Sequence, residues 1–341
     1  MINVMTSLLE VSGLTVELPT VAGWVRPVNE VSLRIDAGES LGLVGESGSG
    51  KTMLSLAVMG LLPPGARVSG EATLTAESSA KNLTTLTERQ WRDVRGSEVS
   101  MVFQEPMTSL NPVMRAGAQI EEAIRAHQPQ LRANEAKRRT IEALRRAAVP
   151  EPEIRAEQFP HQLSGGLRQR VMIAMALAAG PRLLIADEPT TALDVTVQAS
   201  IIELIRDLSR ELRASVILIT HNMALVASLC NRVIVMYAGS IVEEGPTRAI
   251  FKNPQHPYTW SLLRSMPRVD EKEKERLISI KGLPPDLGKM PPGCKFHPRC
   301  KFRVDRCFTD EPPLEEVDPG QHARCWVLMK NVTNPEAQAQ T

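Results

Sequence analysis

The chain has 341 residues, 43% of them hydrophobic, which is enough to bury at least one full-sized core and suggests about two domains. Its 40 Lys and Arg nearly cancel 39 Asp and Glu, leaving a formal charge of +1, so no whole-molecule field favours a nucleic-acid backbone. The most apolar stretch, 171–186, is broken by Gly180, Pro181 and Arg182, and no run reaches the roughly 18 apolar residues of a membrane span. The first ten residues lack the basic start and apolar stretch of a secretory signal, so a cytoplasmic protein is expected, and Met5 serves equally well as initiator. Five cysteines in such a protein do not form a disulfide framework, and four of them crowd into the last fifth of the chain, which points to a local site.

Apolar residues alternate with polar ones at Leu14, Val16 and Leu18 and again at Val31, Leu33 and Ile35, the pattern of an opening antiparallel sheet. After the turn at Asp36, Ala37 and Gly38, a short apolar strand over 41–44 runs into a glycine-rich loop, and 52–62 reads as a helix. From about 107 to 179 the pattern is helical and arginine-rich, as over 135–147, where Ile141 and Leu144 supply the buried face. Strand patterns return at 183–186, 216–220 and 233–237, with an amphipathic helix carrying Ile201, Ile205, Leu208 and Leu212 between the first two, so parallel strands flanked by helices are expected. A charged run and four prolines make 267–292 a linker, and 331–341 is a polar tail expected to be disordered. No internal repeat occurs.

Gly45-Glu46-Ser47-Gly48-Ser49-Gly50-Lys51-Thr52 matches the phosphate-binding loop and sits between a strand and a helix, as that loop must. Its glycines let backbone N–H groups and a helix N-terminus face phosphates, Lys51 neutralises β/γ oxygens, and the Thr52 hydroxyl is suited to Mg²⁺. The apolar strand Leu183-Leu184-Ile185-Ala186 ends in Asp187 and Glu188. Beside such a loop, Asp187 serves the metal and Glu188 is placed to deprotonate attacking water. Leu163-Ser164-Gly165-Gly166-Leu167 could be a plain helix cap, yet it lies between these two motifs, and it opens a helix whose free N–H groups can grip a γ-phosphate.

With that segment, the chain resembles the ABC ATPases. The resemblance implies that Ser164, Gly165 and Gly166 close over nucleotide held by a partner, in a sandwich dimer. It also implies that Gln104 in Phe103-Gln104-Glu105-Pro106 is the Q-loop residue, contacting Mg²⁺ and sensing the membrane subunit. Thr191-Ala192-Leu193-Asp194 corresponds to the D-loop, and His221 to the switch histidine; Asn222 departs from the Asp common in the family, which is expected to weaken a local hydrogen bond. Trp24, with Val25 beside it, is the candidate adenine-stacking residue, the alternative being an exposed loop tryptophan.

The stretch Gln104 to Pro112, His256-Pro257-Tyr258-Thr259 with Leu262-Leu263, and Gly282-Leu283-Pro284-Pro285 resemble segments of oligopeptide and dipeptide permease ATPases. Nickel and glutathione importers share much of this pattern. Cys294, Cys300, Cys307 and Cys325 are four thiolate donors suited to a [4Fe–4S] cluster or to tetrahedral zinc, and their wide spacings fit structural zinc poorly. The resemblance implies the cluster, since members of that branch carry one. Cys230 reads as a small buried hydrophobe in a helix, and His297 as a loop histidine that could join a zinc site.

The fold expected is therefore α/β: a P-loop NTPase of ABC type with a RecA-like core, an antiparallel β subdomain and a helical subdomain over about 107–179. Its nucleotide-binding domain spans 8–265, and an extension over 266–330 holds the cysteines. Expected cofactors are ATP, Mg²⁺ and the cluster. Expected partners are a second, different ATPase subunit, two integral membrane permeases and an extracytoplasmic substrate-binding protein, with no nucleic acid. The place expected is peripheral, on the cytoplasmic face of the inner membrane. The rival is an ABC ATPase acting on DNA or ribosomes; a single motif set and no heptad run speak against it.

Overall fold

The computed structural model describes residues 7–76, 79–105, 109–191, 193–265, 280–333 and 335. Strands β1 (Ser7–Thr20) and β2 (Gly23–Asp36) pair antiparallel, with Leu9 opposite Ile35, Leu14 opposite Val31 and Val16 opposite Val28. The expected alternation is what buries these residues on one face. Strand β3 (Ser40–Val44), buried from Leu41 on, leads through the glycine loop into helix α1 (Lys51–Val58). The helix was expected to reach Leu62. It stops earlier because Gly60 is left-handed (φ 61°) and lies so close to the Trp91 ring that a Cβ would sit 2.4 Å from it. Strands β4 (Arg67–Ala76) and β5 (Ser79–Asn82) complete a four-stranded antiparallel sheet of order β2-β1-β4-β5.

Helix α2 (Glu88–Val94), with a capping box at Thr87, precedes strand β6 (Val99–Val102). The helical subdomain follows as α3 (Ala116–His127), α4 (Ala133–Arg146), α5 (Pro152–Ala156) and α6 (Gly165–Leu177). Their apolar faces share a core that includes Ile120, Ile124, Leu144 and Val171. In α4, Leu144 is buried as expected, whereas Ile141 only borders that core, and Ala136 and Thr140 complete the inner face.

Strand β7 (Leu183–Asp187), helix α7 (Val195–Leu212), strand β8 (Ser215–Ile219), helix α8 (Met223–Leu229) and strand β9 (Arg232–Tyr237) supply the alternation read from the sequence. Strand β10 (Ser240–Pro246) and helices α9 (Thr247–Lys252) and α10 (Pro257–Arg264) follow, and strands β11 (Glu315–Asp318) and β12 (Gln321–Ala323) come from the extension. Together they form an eight-stranded sheet of order β11-β12-β10-β9-β3-β8-β7-β6. Its segment from β9 to β6 is parallel, and β10, β12 and β11 continue it antiparallel. The first half of the expected linker, 267–279, lies outside the described residues, so the expected domain boundary at 265/266 is reached only from its N-terminal side, and most of the tail 331–341 lies outside them too. The extension shares the main core: Phe296, Cys300, Phe302 and Met329 are buried in one cluster with Val44, Met172, Tyr237 and Tyr258. No helix among the described residues is long and apolar enough to cross a membrane.

Candidate nucleotide site and cysteine pocket

Neighbouring parallel strands deliver the expected site residues to one edge. The glycine loop follows β3, His221 follows β8, Asp187 ends β7 with Glu188 just past it, and Gln104 lies two residues past β6. This is the carboxyl edge of a parallel sheet, where open α/β folds bind ligands.

The loop needs its glycines. Gly45, Gly48 and Gly50 have φ of 149°, 79° and 103°, and a Cβ on Gly50 would lie 2.1 Å from the Pro27 carbonyl oxygen. Ser47 and Gly48 are exposed at the loop's turn and Ser49 is buried beneath. The buried Lys51 ammonium donates to the carbonyls of Gly45 (2.8 Å) and Glu46 (2.9 Å) and to Ser49 Oγ (3.2 Å). Burial lowers its pKa, and the charges of Glu188, Asp187 and Glu46 pull it back up. Such a cation gains from an anion brought to its open side.

Asp187 is 2% exposed, and its Oδ1 has no hydrogen-bond partner. Burial raises its pKa, while a hydrogen bond with the Thr52 hydroxyl and the charge of Lys51 act the other way. An orphaned buried carboxylate oxygen beside a threonine hydroxyl is a donor set that fits a hard divalent cation such as Mg²⁺.

Glu188 adopts φ 44°, in the left-handed region, with its N–H donating to Ile219 O at 2.9 Å. Its carboxylate accepts from Gln104 Nε2 (3.2 Å) and Thr191 Oγ1 (2.9 Å) and lies 3.5 Å from His221 Nδ1. The fold thus gathers Gln104, Glu188 and His221 around one carboxylate. Thr191, read from the sequence only as the first residue of the D-loop segment, is the addition here, its hydroxyl holding the Glu188 carboxylate. Asn222 caps α8, accepting from Ala224 N at 3.1 Å, so its departure from Asp leaves a hydrogen bond in place.

Ser164 caps α6 by accepting from Leu167 N (3.4 Å), and Gly165 and Gly166 pack close to Leu193 and Val197. Asp194 caps α7 through Val197 N (2.9 Å). Among the described residues, no hydrogen bond or ion pair joins Ser164, Gly165 or Gly166 to residues 45–52. Trp24 sits beside the β1–β2 hairpin turn, 45% exposed, with the Arg67 guanidinium 3.8 Å over its ring. One face is therefore occupied by a cation.

Cys294, Cys300, Cys307 and Cys325 line one cavity of about 10 Å³ together with Phe296, Phe302 and His297. Burial pushes the Cys300 thiol up to about 12 and raises Cys294 and Cys325 as well, and each feels the neighbouring sulfurs. Cys325 donates to Val327 O at 3.0 Å, and His297 Nδ1 lies 2.9 Å from Cys294 O. The expected metal centre is not supported by this arrangement. Among the described residues no group of three or more His, Cys, Asp or Glu is disposed to hold a metal ion, and the cavity is about the size of one water. Four thiols are nonetheless the donor chemistry of a cluster. Cys230 lies just past α8 rather than within it, buried against Gly42 with its pKa raised to about 12.

The phosphate loop also touches the extension, which nothing in the sequence pattern indicated. Arg299 pairs with Glu46 through both guanidinium nitrogens, at 2.5 and 2.9 Å, and Glu46 N donates to the Tyr258 hydroxyl at 2.8 Å.

Comparison with known proteins agrees with this geometry. The family described as "ABC transporter" matches residues 28–191, and "Oligopeptide/dipeptide transporter, C-terminal region" matches 242–307. The "Oligopeptide transport ATP-binding protein OppD" of Bacillus subtilis (strain 168) is 47% identical over 97% of this chain and 93% of its own length. The "Dipeptide transport ATP-binding protein DppD" of Escherichia coli (strain K12) is 45% identical over 96% of this chain and 99% of its own. Among solved structures, an ATP-binding cassette described as a dimeric post-hydrolysis state bound to ADP and Pi superposes with a TM-score of 0.62 at 27% identity, covering 70% of this chain and 99% of that one. The chain belongs to the ABC transporter ATPases, in the branch that carries the oligopeptide/dipeptide transporter C-terminal region.

Proposed function

We propose that this chain is the ATP-hydrolysing subunit of an importer of oligopeptides or dipeptides, held peripherally on the cytoplasmic face of the inner membrane. The reading pairs it with a second, different ATPase subunit and two integral membrane permeases, supplied by an extracytoplasmic binding protein. The names of relatives at 45–47% identity support the peptide assignment. The observation that carries the chemistry is the convergence of Gln104, Glu188 and His221 at the carboxyl edge of the sheet beside Lys51.

In this reading the loop N–H groups and Lys51 bind the β/γ-phosphates, and Thr52, Asp187 and Gln104 hold Mg²⁺. The ion supplies charge neutralisation at the phosphoryl oxygens. Glu188 takes the proton of the attacking water; the Gln104 amide and Thr191 hydroxyl fix its carboxylate, and His221, 70% exposed, is free to swing towards a γ-phosphate. Ser164, Gly165 and Gly166 serve a partner's nucleotide: the helix they open is exposed at its start, away from this chain's own loop contacts. Asp194 shapes that face by capping α7, and Trp24 offers adenine its second ring face.

Glu188→Gln should keep ATP binding and lower hydrolysis by about 10²–10⁴, the usual contribution of a general base. Hydrolysis by the assembled transporter at the wild-type rate would remove Glu188 from that role. Uptake of labelled di- and oligopeptides unaffected by loss of this chain would sink the peptide assignment, leaving nickel or glutathione as cargo.

The four cysteines remain a proposed [4Fe–4S] site, with zinc as the alternative, on the strength of their convergence alone. No catalytic step runs through it. Anaerobic purification should give about four irons per chain with acid-labile sulfide, lost in Cys300→Ser. Stoichiometric zinc would replace the cluster with a structural clip, and neither metal would leave a thiol-lined core.

A further inference from the structure

Glu46 is an acidic residue inside a loop built to receive a polyphosphate. Its carboxylate is near enough to Lys51 for its charge to raise that lysine's hold on a proton. Left free, such a carboxylate would compete with phosphate for Lys51 and repel the incoming anion. The structure does not leave it free. Arg299, whose side chain is only 5% exposed, grips both oxygens of Glu46 in a fork, while Glu46 itself is 27% exposed. The guanidinium is held from behind: Arg299 Nε donates to Lys281 O at 3.2 Å, and another of its nitrogens lies 3.4 Å from the Tyr237 hydroxyl.

The backbone of the same residue is fixed from a second side, since Glu46 N–H donates to the Tyr258 hydroxyl. Tyr258 packs on Tyr237 with ring centroids 4.7 Å apart, and both meet Phe296 of the extension at 5.4 and 5.2 Å. Burial holds both phenols protonated, so they act only as neutral hydrogen-bonding groups. A planar guanidinium cancels a carboxylate's charge and fixes its orientation in one contact, which an ammonium cannot do as well.

We propose that Arg299 is a positioning residue for ATP binding: from the C-terminal extension it neutralises Glu46 and holds it away from Lys51, so that the phosphate loop meets ATP with its lysine available. The inference rests on the phosphate-loop reading above and extends it to a residue 253 positions away in the chain. It gives the extension a task at the nucleotide site whatever its cysteines hold.

The test is a double-mutant cycle on the full chain, with affinity for the non-hydrolysable analogue AMP-PNP plus Mg²⁺ measured by calorimetry and KM and kcat measured with ATP. Arg299→Ala should weaken analogue binding and raise KM about five- to tenfold, the lower range of coupling between distinct sites, with kcat little changed. In the Glu46→Gln background the same substitution should cost little or nothing, because no carboxylate remains to be restrained. Unchanged affinity in Arg299→Ala overturns the proposal. So does an equal loss in both backgrounds, which would mark Arg299 as a structural prop of the extension. If Arg299→Ala does not fold, Arg299→Lys replaces it, with a smaller loss expected and the same rescue by Glu46→Gln; no loss, or no rescue, again overturns the idea. A wild-type chain that binds no analogue would instead undo the phosphate-loop reading.

Discussion

The nucleotide edge and the extension are stabilised in opposite ways. At the edge, polar groups lie at strand ends and part of their bonding capacity stays open: Lys51 bonds to its own loop, Glu188 to Thr191 and Gln104, and the buried Asp187 Oδ1 has no partner. Where the extension joins β10, fully buried polar groups tie distant segments together. Glu243 is 0% exposed and accepts from Gln255 N, His256 N and Gln321 Nε2 at 2.6, 2.9 and 2.8 Å. The difference teaches that the edge can change its hydrogen bonds when a ligand arrives, whereas the joint behind it cannot exchange partners without losing stability.

The sharpest way to break this comparison is Glu243→Ala, which would leave three buried donors unpaired. It should cost about 3 kcal/mol or more of folding stability, at 1–3 kcal/mol per stranded group, read as a lower urea midpoint. A loss below about 1 kcal/mol would mean that water repairs the joint and that the contrast is false.

Next in size is a pH effect at the same joint. His256 is 1% exposed, and burial, with help from the charge of Arg324, lowers its pKa from 6.5 to about 3. The unfolded chain therefore binds a proton that the folded chain refuses, and His256 should drain stability as the pH falls from 6.5 towards 3, by up to about 1.4 kcal/mol per unit. Glu243, whose pKa burial raises, works against this slope. His256→Asn keeps an acceptor for Tyr258 N–H and removes the titration, so its denaturation midpoint should vary less between pH 7 and 5 than that of the native chain. Parallel slopes would exclude His256 as the cause.

The smallest effect is expected at the nucleotide edge. Trp24→Ala should weaken ATP binding by about two- to tenfold, as an aromatic stack worth about 0.5–1.5 kcal/mol implies. An unchanged affinity would leave Trp24 to its contact with Arg67 alone.

What could be read beforehand follows the same division. The loop 45–52, the acidic end of β7 and the cap at Ser164 are contiguous segments whose chemistry depends on neighbours in sequence, and strand and helix periods placed them on the correct elements. Glu243 looks like a solvated strand residue beside Glu244, and only the fold shows it buried among donors from the turn before α10 and from β12. Arg299 reads as one of several loop arginines near a cysteine. Its partner lies 253 residues away, and no local pattern reports such a distance. The cysteine spacing likewise could not show how little room the four sulfurs enclose.

The short hairpin of β11 and β12 lies along β10, where Arg324 N also donates to Val242 O and Arg324 Nε to Ile241 O. Without that hairpin, β10 would offer an open row of backbone donors and acceptors at the rim of a hydrophobic sheet, a template on which other chains can stack. These covering strands follow β10 by about 70 residues in the chain, so during synthesis the growing protein exposes an adhesive border before its cover emerges. Truncation ahead of residue 315 would keep that border permanently, and the shortened product should aggregate rather than survive as an isolated cassette.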